Sequence, residues 1–182
     1  FLIAGQRKDN SYSYTPTRGY IIKTKSSGCI EWSLMFDSSN HYSVESKITE
    51  ISEAPDGSFY LAGRSESNQT FFAKISSSGN LLWGKRLDPV GWMQVSYSGI
   101  KAMPDNGLVI TGQAGNDKYQ LIRLDAAGNI LWHKKYDKPV FNSSGLRNIL
   151  KKDGCLYIGG PVSYNENKTY YNHNLLMKVD YS

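Results

Sequence analysis

Two kinds of short segment recur along the chain in a fixed order: runs that are apolar at every position, and runs in which apolar and polar residues alternate. Four apolar runs end in small residues: Leu2-Ile3-Ala4-Gly5, Tyr60-Leu61-Ala62-Gly63, Val109-Ile110-Thr111-Gly112 and Tyr157-Ile158-Gly159-Gly160. Their length and lack of a polar face predict central strands covered on both sides, and the small pair predicts a place where a neighbouring backbone comes close. Ahead of three of them lie Pro55-Asp56-Gly57, Pro104-Asp105-Asn106-Gly107 and Lys152-Asp153-Gly154. These are tight hairpin signals, because Gly and Asn accept positive φ. They join an alternating strand, such as Ile48-Thr49-Glu50-Ile51, to the apolar one.

Downstream, Lys23-Thr24-Lys25-Ser26-Ser27-Gly28-Cys29-Ile30-Glu31-Trp32, Lys74-Ile75-Ser76-Ser77-Ser78-Gly79-Asn80-Leu81-Leu82-Trp83 and Arg123-Leu124-Asp125-Ala126-Ala127-Gly128-Asn129-Ile130-Leu131-Trp132 align without a gap, at steps of about 51 and 49 residues. A fourth copy begins at Lys178-Val179-Asp180. Each unit therefore reads as strand a, an Asp-Gly-type turn, strand b, a variable loop, strand c, a Gly turn, and strand d carrying the Trp. That pattern predicts an all-β protein, a β-propeller of four-stranded antiparallel blades with about 3.5 to 4 blades present. The expected organisation is a single propeller or propeller fragment, with repeats at about 1–42, 43–92, 93–141 and 142–182. The order along the chain, b-c-d, two whole blades, then a-b-c, leads us to expect part of a ring of about six to eight blades rather than a closed four-bladed one.

The wording of strand b at 60–63, strand c at 71–80 and strand d at 81–87 resembles the bacterial and archaeal propeller repeats of PQQ-like type, in four copies across essentially the whole chain. The resemblance implies that Trp32, Trp83 and Trp132, each four residues after Gly28, Gly79 and Gly128, dock between neighbouring blades. The family motif sets an Asp four residues before the Gly. Here Asp125 lies three before Gly128 and Ser76 three before Gly79, so the chain looks like the simpler repeat rather than a quinoprotein blade, and no cofactor is expected. The Asp-box of sialidase-type propellers fits poorly, because its aromatic follows the Gly by one residue fewer.

With 182 residues, 40% hydrophobic, 13% aromatic and 20% charged, the composition is that of a globular domain. Thirteen Tyr among abundant Ser, Asn and Gly favour strands and turns, and almost no helix is expected. No apolar stretch approaches the roughly 18 residues of a membrane-spanning segment. Phe1-Leu2-Ile3-Ala4-Gly5 reads as the middle of a strand, as in a mature product or a piece of something larger. The net charge of +5 is scattered and interrupted by Asp117, Asp125, Asp137 and Asp153, which predicts a solvated surface and no nucleic-acid partner. Cys29 and Cys155 lack metal spacing and read as lone thiols, with a bridge between distant repeats left open.

Candidate chemistry is sparse. His41, His133 and His173 fall in a d-to-a loop, on strand d and in a b-to-c loop, without the spacing of metal ligands. No phosphate-binding Gly loop or nucleophile elbow occurs. Lys23, Lys74, Arg123 and Lys178 recur at one place in strand c, as surface or inter-blade pairing residues would. Loops joining b to c and d to a share one face, and in the outer repeats the b-to-c loops are long and aromatic. They carry Tyr12 and Tyr14 in one and Tyr164, Tyr170, Tyr171 and His173 in the other, and Trp92 lies in a d-to-a segment of the same face. Aromatics so placed are candidate binding anchors. Glycosylation sequons at Asn68, Asn142 and Asn167 fall in the same loops, compatible with a secreted protein. The expectation is a non-catalytic binding or scaffold module, secreted, periplasmic or at the cell surface. It would take a protein or glycan through that face, within a larger surface assembly. The alternative is a quinoprotein-like oxidoreductase or a glycan-processing propeller.

Overall fold

The computed structural model of the chain describes residues 1–8, 17–36, 46–65, 70–86, 95–115, 118–137, 146–166 and 169–181. They form fourteen strands and, among the described residues, no helix. β1 (Leu2–Lys8), β2 (Thr17–Thr24) and β3 (Ile30–Met35) make one antiparallel sheet. A second contains β4 (Ser46–Glu53), β5 (Phe59–Ser65), β6 (Thr70–Ile75) and β7 (Leu81–Arg86) in sequence order. The third is built the same way from β8 (Val95–Ala102), β9 (Leu108–Ala114), β10 (Lys118–Leu124) and β11 (Ile130–Asp137). The last holds β12 (Asn148–Lys152), β13 (Cys155–Glu166) and β14 (Thr169–Asp180). The chain is thus all-β and built of antiparallel propeller blades. Blades 2 and 3 show strands a to d, blade 1 shows b, c and d, and blade 4 shows a, b and c. The described residues fall into two compact units, Phe1–Asp88 with blades 1 and 2 and Pro89–Ser182 with blades 3 and 4.

Local chemistry sets the turns. In blade 2 the Gly57 amide donates to the Ala54 carbonyl (2.9 Å) and the Ala54 amide to the Ser58 carbonyl (2.8 Å). Blade 3 repeats this from Met103 to Gly107, with Asn106 in the left-handed position at φ 59. Blade 4 has a tighter turn, with Asp153 and Gly154 both at positive φ, the geometry that matches strand twist in a two-residue hairpin. Strand a carries one extra residue in blades 2 and 3, at Thr49 and Ser98. Both bulges face the small pair on strand b, Ala62-Gly63 and Thr111-Gly112. At Gly63 the space is taken by the Phe71 ring and the Lys47 carbonyl, 2.4 and 2.6 Å from where a Cβ would lie.

Each unit has its core between its two blades. In the first, Ile21 and Phe36 of blade 1 pack with Ile48, Phe59, Leu61, Phe71, Ala73 and Ile75 of blade 2. In the second, Met103, Val109, Tyr119 and Leu121 of blade 3 pack with Leu156, Ile158 and Val179 of blade 4. There the Thr111 hydroxyl also donates to the Leu146 carbonyl at the entry to blade 4 (2.8 Å).

One expectation is overturned. The residues from Tyr164 to His173 are not a loop: β13 and β14 pair continuously out to Glu166 opposite Thr169, leaving only residues 167 and 168 between them. Aromatic and β-branched residues favour a pleated pair. Pro161 is tolerated because β12 reaches β13 only as far as Gly159, so that from Pro161 onward β13 is an edge and a missing N–H breaks no ladder.

Candidate functional site

The recurring cation on strand c sits in a cross-strand row. Lys74 lies between Tyr60 on strand b and Trp83 on strand d, with its ammonium 5.0 Å from the centre of the Tyr60 ring, which itself packs 5.8 Å from Trp83. Arg123 lies between Val109 and Trp132 in the same way. Both are buried, at 3% and 5% exposed, and a buried cation is tolerated only when paired. Their partners are the aspartates of the a-to-b turns. Lys74 Nζ donates to Asp56 Oδ2 at 3.2 Å, and Arg123 Nη2 to Asp105 Oδ1 at 2.5 Å. Burial by itself raises both carboxyls. In Asp56 the Ser58 hydroxyl and amide and then Lys74 outweigh it, and in Asp105 the Arg123 guanidinium and the Gly107 amide do, so both end below the ordinary range. These cations therefore turn into their own blade and close it, rather than lying on the surface or between blades. Lys23, at the same strand position in blade 1, reaches onward instead. Its ammonium bonds the Ser77 carbonyl of the next blade (3.2 Å) while pairing with Glu31 (3.2 Å).

Trp32 makes the same crossing. Its indole N–H donates to the Ser77 carbonyl at 2.9 Å, its ring packs 6.4 Å from that of Phe59, and it covers Gly79, where a Cβ would lie 2.8 Å from the ring. Only a residue without a side chain fits at φ 88 beneath the indole. Trp132 packs against the core of the second unit, and Trp83 against Tyr60 of its own blade.

Of the candidate binding residues, Tyr12, Tyr14 and Trp92 lie outside the described residues, as do His41, Asn68, Asn142 and Asn167. Tyr164 pairs with Tyr171, Asn165 with Tyr170, and Val162 with His173. Tyr171 is 40% exposed and His173 is exposed. The hairpin thus brings Tyr164, Tyr170, Tyr171 and His173 within a short stretch of paired strand. His133 stands on strand d with Nε2 3.0 Å from Gln120 Oε1. Partial burial, then the charge of Lys135, lowers its pKa. Cys29 and Cys155 are free thiols. Among the described residues no three His, Cys, Asp or Glu side chains gather as metal ligands, and no helix is long and apolar enough to cross a membrane.

The pairing of Lys74 and Arg123 with turn aspartates escaped the sequence reading, although the signal was present. Each Asp sits in a Pro-Asp turn 18 residues before its cation, at the same offset in both whole blades.

No family model and no curated protein matches the chain. Among solved structures it is similar to a protein of unknown function from Bacteroides caccae, at 14% identity and a TM-score of 0.54, over 100% of this chain and 57% of that one. It is also aligned with an α-L-arabinofuranosidase from Clostridium thermocellum, at 13% identity and a TM-score of 0.46, over 97% and 68% of the two chains. The first likeness shows the fold alone, and the chain spans little more than half of that structure.

Proposed function

We propose that this chain is a non-catalytic, extracytoplasmic binding module of PQQ-like repeat type whose blades hold out an aromatic hairpin, β13–β14, to a glycan or a protein surface. One observation carries the reading: β13 and β14 run on past the end of strand a and set Tyr164 opposite Tyr171 and Tyr170 beside them on a paired ribbon, with Tyr171 open to solvent. Aromatic side chains on a stiff two-stranded support give large contact area at low cost in conformational entropy, which suits recognition rather than turnover. The buried charges support the same reading. Lys74 and Arg123, the cations best placed for chemistry by burial, are held by Asp56 and Asp105 in closing the blades. The sequons at Asn68, Asn142 and Asn167 fit an exported protein.

The test is binding of the whole chain to a panel of oligosaccharides and polysaccharides, and to candidate surface proteins, with Tyr171→Ala and His173→Ala alongside. The expected result is saturable binding that falls about tenfold in Tyr171→Ala, as for an interface anchor, with the thermal melting profile unchanged. Binding equal to wild type in both variants would overturn the hairpin assignment, and release of reducing sugar from any panel member would replace a binding module by an enzyme.

A further inference from the structure

Strand d of blade 3, β11, ends its sheet: the order is β11-β10-β9-β8, and among the described residues no strand pairs with its outer side. In an antiparallel strand every second residue turns its N–H and C=O away from the partner, so this side presents a row of backbone groups able to bind another strand. The register against β10 is regular from Trp132 opposite Arg123 to Asp137 opposite Lys118, and the extra residue, Leu131, falls at the start. Among the described residues, strands d of blades 1 and 2 have shorter regular stretches, 32–35 and 83–86.

The side chains of β11 are sorted along the edge by chemistry. Ile130 and Leu131, at one end, are both 56% exposed. Lys134 and Lys135, toward the other, are exposed as well. Consecutive residues of a regular strand point to opposite faces of the sheet, so what the two lysines share is the edge and not a face. Lys134 is held over Trp132, its ammonium 4.8 Å from the ring centre. Asp137, the one acidic residue in the sequence of β11, is taken up by Lys118 of β10. Strand d of blade 1 differs in kind, carrying Glu31 and no cation.

We propose that the outer edge of β11 docks an acidic, extended segment of another protein, which adds to blade 3 as a fifth strand. Main-chain hydrogen bonds between Trp132 and Asp137 hold the segment, and the side chains along the edge select it. Run antiparallel, it sets an acidic pair opposite Lys135 and Lys134 and then an apolar pair over Leu131 and Ile130. Opposite charges directly across a strand pair stabilise it, and like charges oppose it. A second copy of the chain is therefore a poor occupant, because two β11 edges laid antiparallel would bring lysine against lysine. The edge is a site separate from the hairpin and needs none of its residues.

The test uses the whole chain with a labelled probe peptide, Thr-Thr-Glu-Glu-Thr-Thr-Val-Val, and a control in which Lys replaces the Glu pair. Fluorescence polarisation should show saturable binding of the acidic peptide and binding of the basic one weaker by about tenfold. Hydrogen exchange at the amides of β11 should slow when the acidic peptide is present, the mark of an added strand rather than of diffuse charge attraction. A Lys134→Glu, Lys135→Glu double variant should lose the acidic peptide and take the basic one, a reversal that a damaged fold could not produce. Tyr171→Ala should bind the acidic peptide like wild type, which separates this edge from the hairpin. Absence of saturable binding, equal binding of the two peptides, unchanged exchange at β11, a double variant that keeps the acidic peptide, or loss of binding in Tyr171→Ala would each overturn the proposal.

Discussion

The ring of Trp32 and the backbone of Gly79 occupy adjoining space across the boundary of blades 1 and 2, a Cβ at Gly79 falling 2.8 Å from the indole. Gly28 has nearly the same left-handed φ, 85° against 88°, with nothing above it. Alanine at either position therefore carries the same backbone penalty, about 1–2 kcal/mol, and only Gly79→Ala displaces the Trp. The expected outcome in dilute protein is that Gly79→Ala is destabilised by at least 1 kcal/mol more than Gly28→Ala, a displaced core ring adding about 1–3 kcal/mol. Trp32→Phe, which keeps a ring but leaves the Ser77 carbonyl with Lys23 as its remaining side-chain donor, should cost about 0.5–1.5 kcal/mol. Urea unfolding of the three variants checks both, and equal losses at the two glycines would remove Trp32 from the boundary.

Arg123 sets a second demand on the backbone. A Cβ at Gly107 would lie 2.3 Å from its Nη1 and 2.4 Å from the Leu124 carbonyl, the same groups that the guanidinium joins by donating to Leu124 O at 2.5 Å. Gly107→Ala should destabilise by about 1–3 kcal/mol. The corresponding position in blade 2 is Ser58, whose hydroxyl bonds Asp56 at 2.5 Å, and Ser58→Ala there should cost no more than about 1–2 kcal/mol. Thermal melting ranks the two, and a Gly107→Ala protein as stable as wild type would show that Arg123 does not hold this position.

Acid should destabilise the fold in two stages. His133 has a lowered pKa when folded, through burial and then Lys135, so the unfolded chain takes up its proton first and stability declines as pH falls below about 6.5. Asp56 and Asp105 are also lowered, burial being outweighed by Ser58 and Lys74 in one and by Arg123 and Gly107 in the other. Their contribution is present above the unfolded value near 3.8 and is lost as pH falls through the lower folded values. Both carboxylates are partly exposed, so solvent screening keeps the effect small. The stability difference between wild type and an Asp56→Asn, Asp105→Asn double variant, measured by urea unfolding from neutral pH to pH 3, should shrink at the acid end. A difference independent of pH would exclude the ion pairs as its source.

The strand order, turns and Trp positions were legible because each rests on a local signal repeated at a fixed period. A Pro-Asp turn, a small pair after an apolar run and a Gly four residues before a Trp do not depend on distant partners. The extended hairpin was not legible, because Pro161 and the Asn-rich stretch after it carry the composition of a loop. What makes them strands is pairing, Val162 with His173 and Tyr164 with Tyr171, and pairing is set by register. Lys74 and Arg123 were misplaced for a related reason. A charged residue reads as surface until its partner 18 residues away is known to lie beside it. No residue pattern points to one ligand, since exposed aromatics serve glycans and proteins alike.

Where blade 2 has Lys74 with Ser58, blade 3 has Arg123 with Gly107. Each whole blade thus carries a matched set: cation, acceptor and the size of the side chain at the foot of strand b. A hybrid blade averaged over the copies, with Arg at the strand c position and Ser at the foot of strand b, would join the bulkier cation to the bulkier neighbour and place a side chain where the guanidinium lies. The cation of strand c and the residue at the foot of strand b can therefore be exchanged between blades only together, not one at a time.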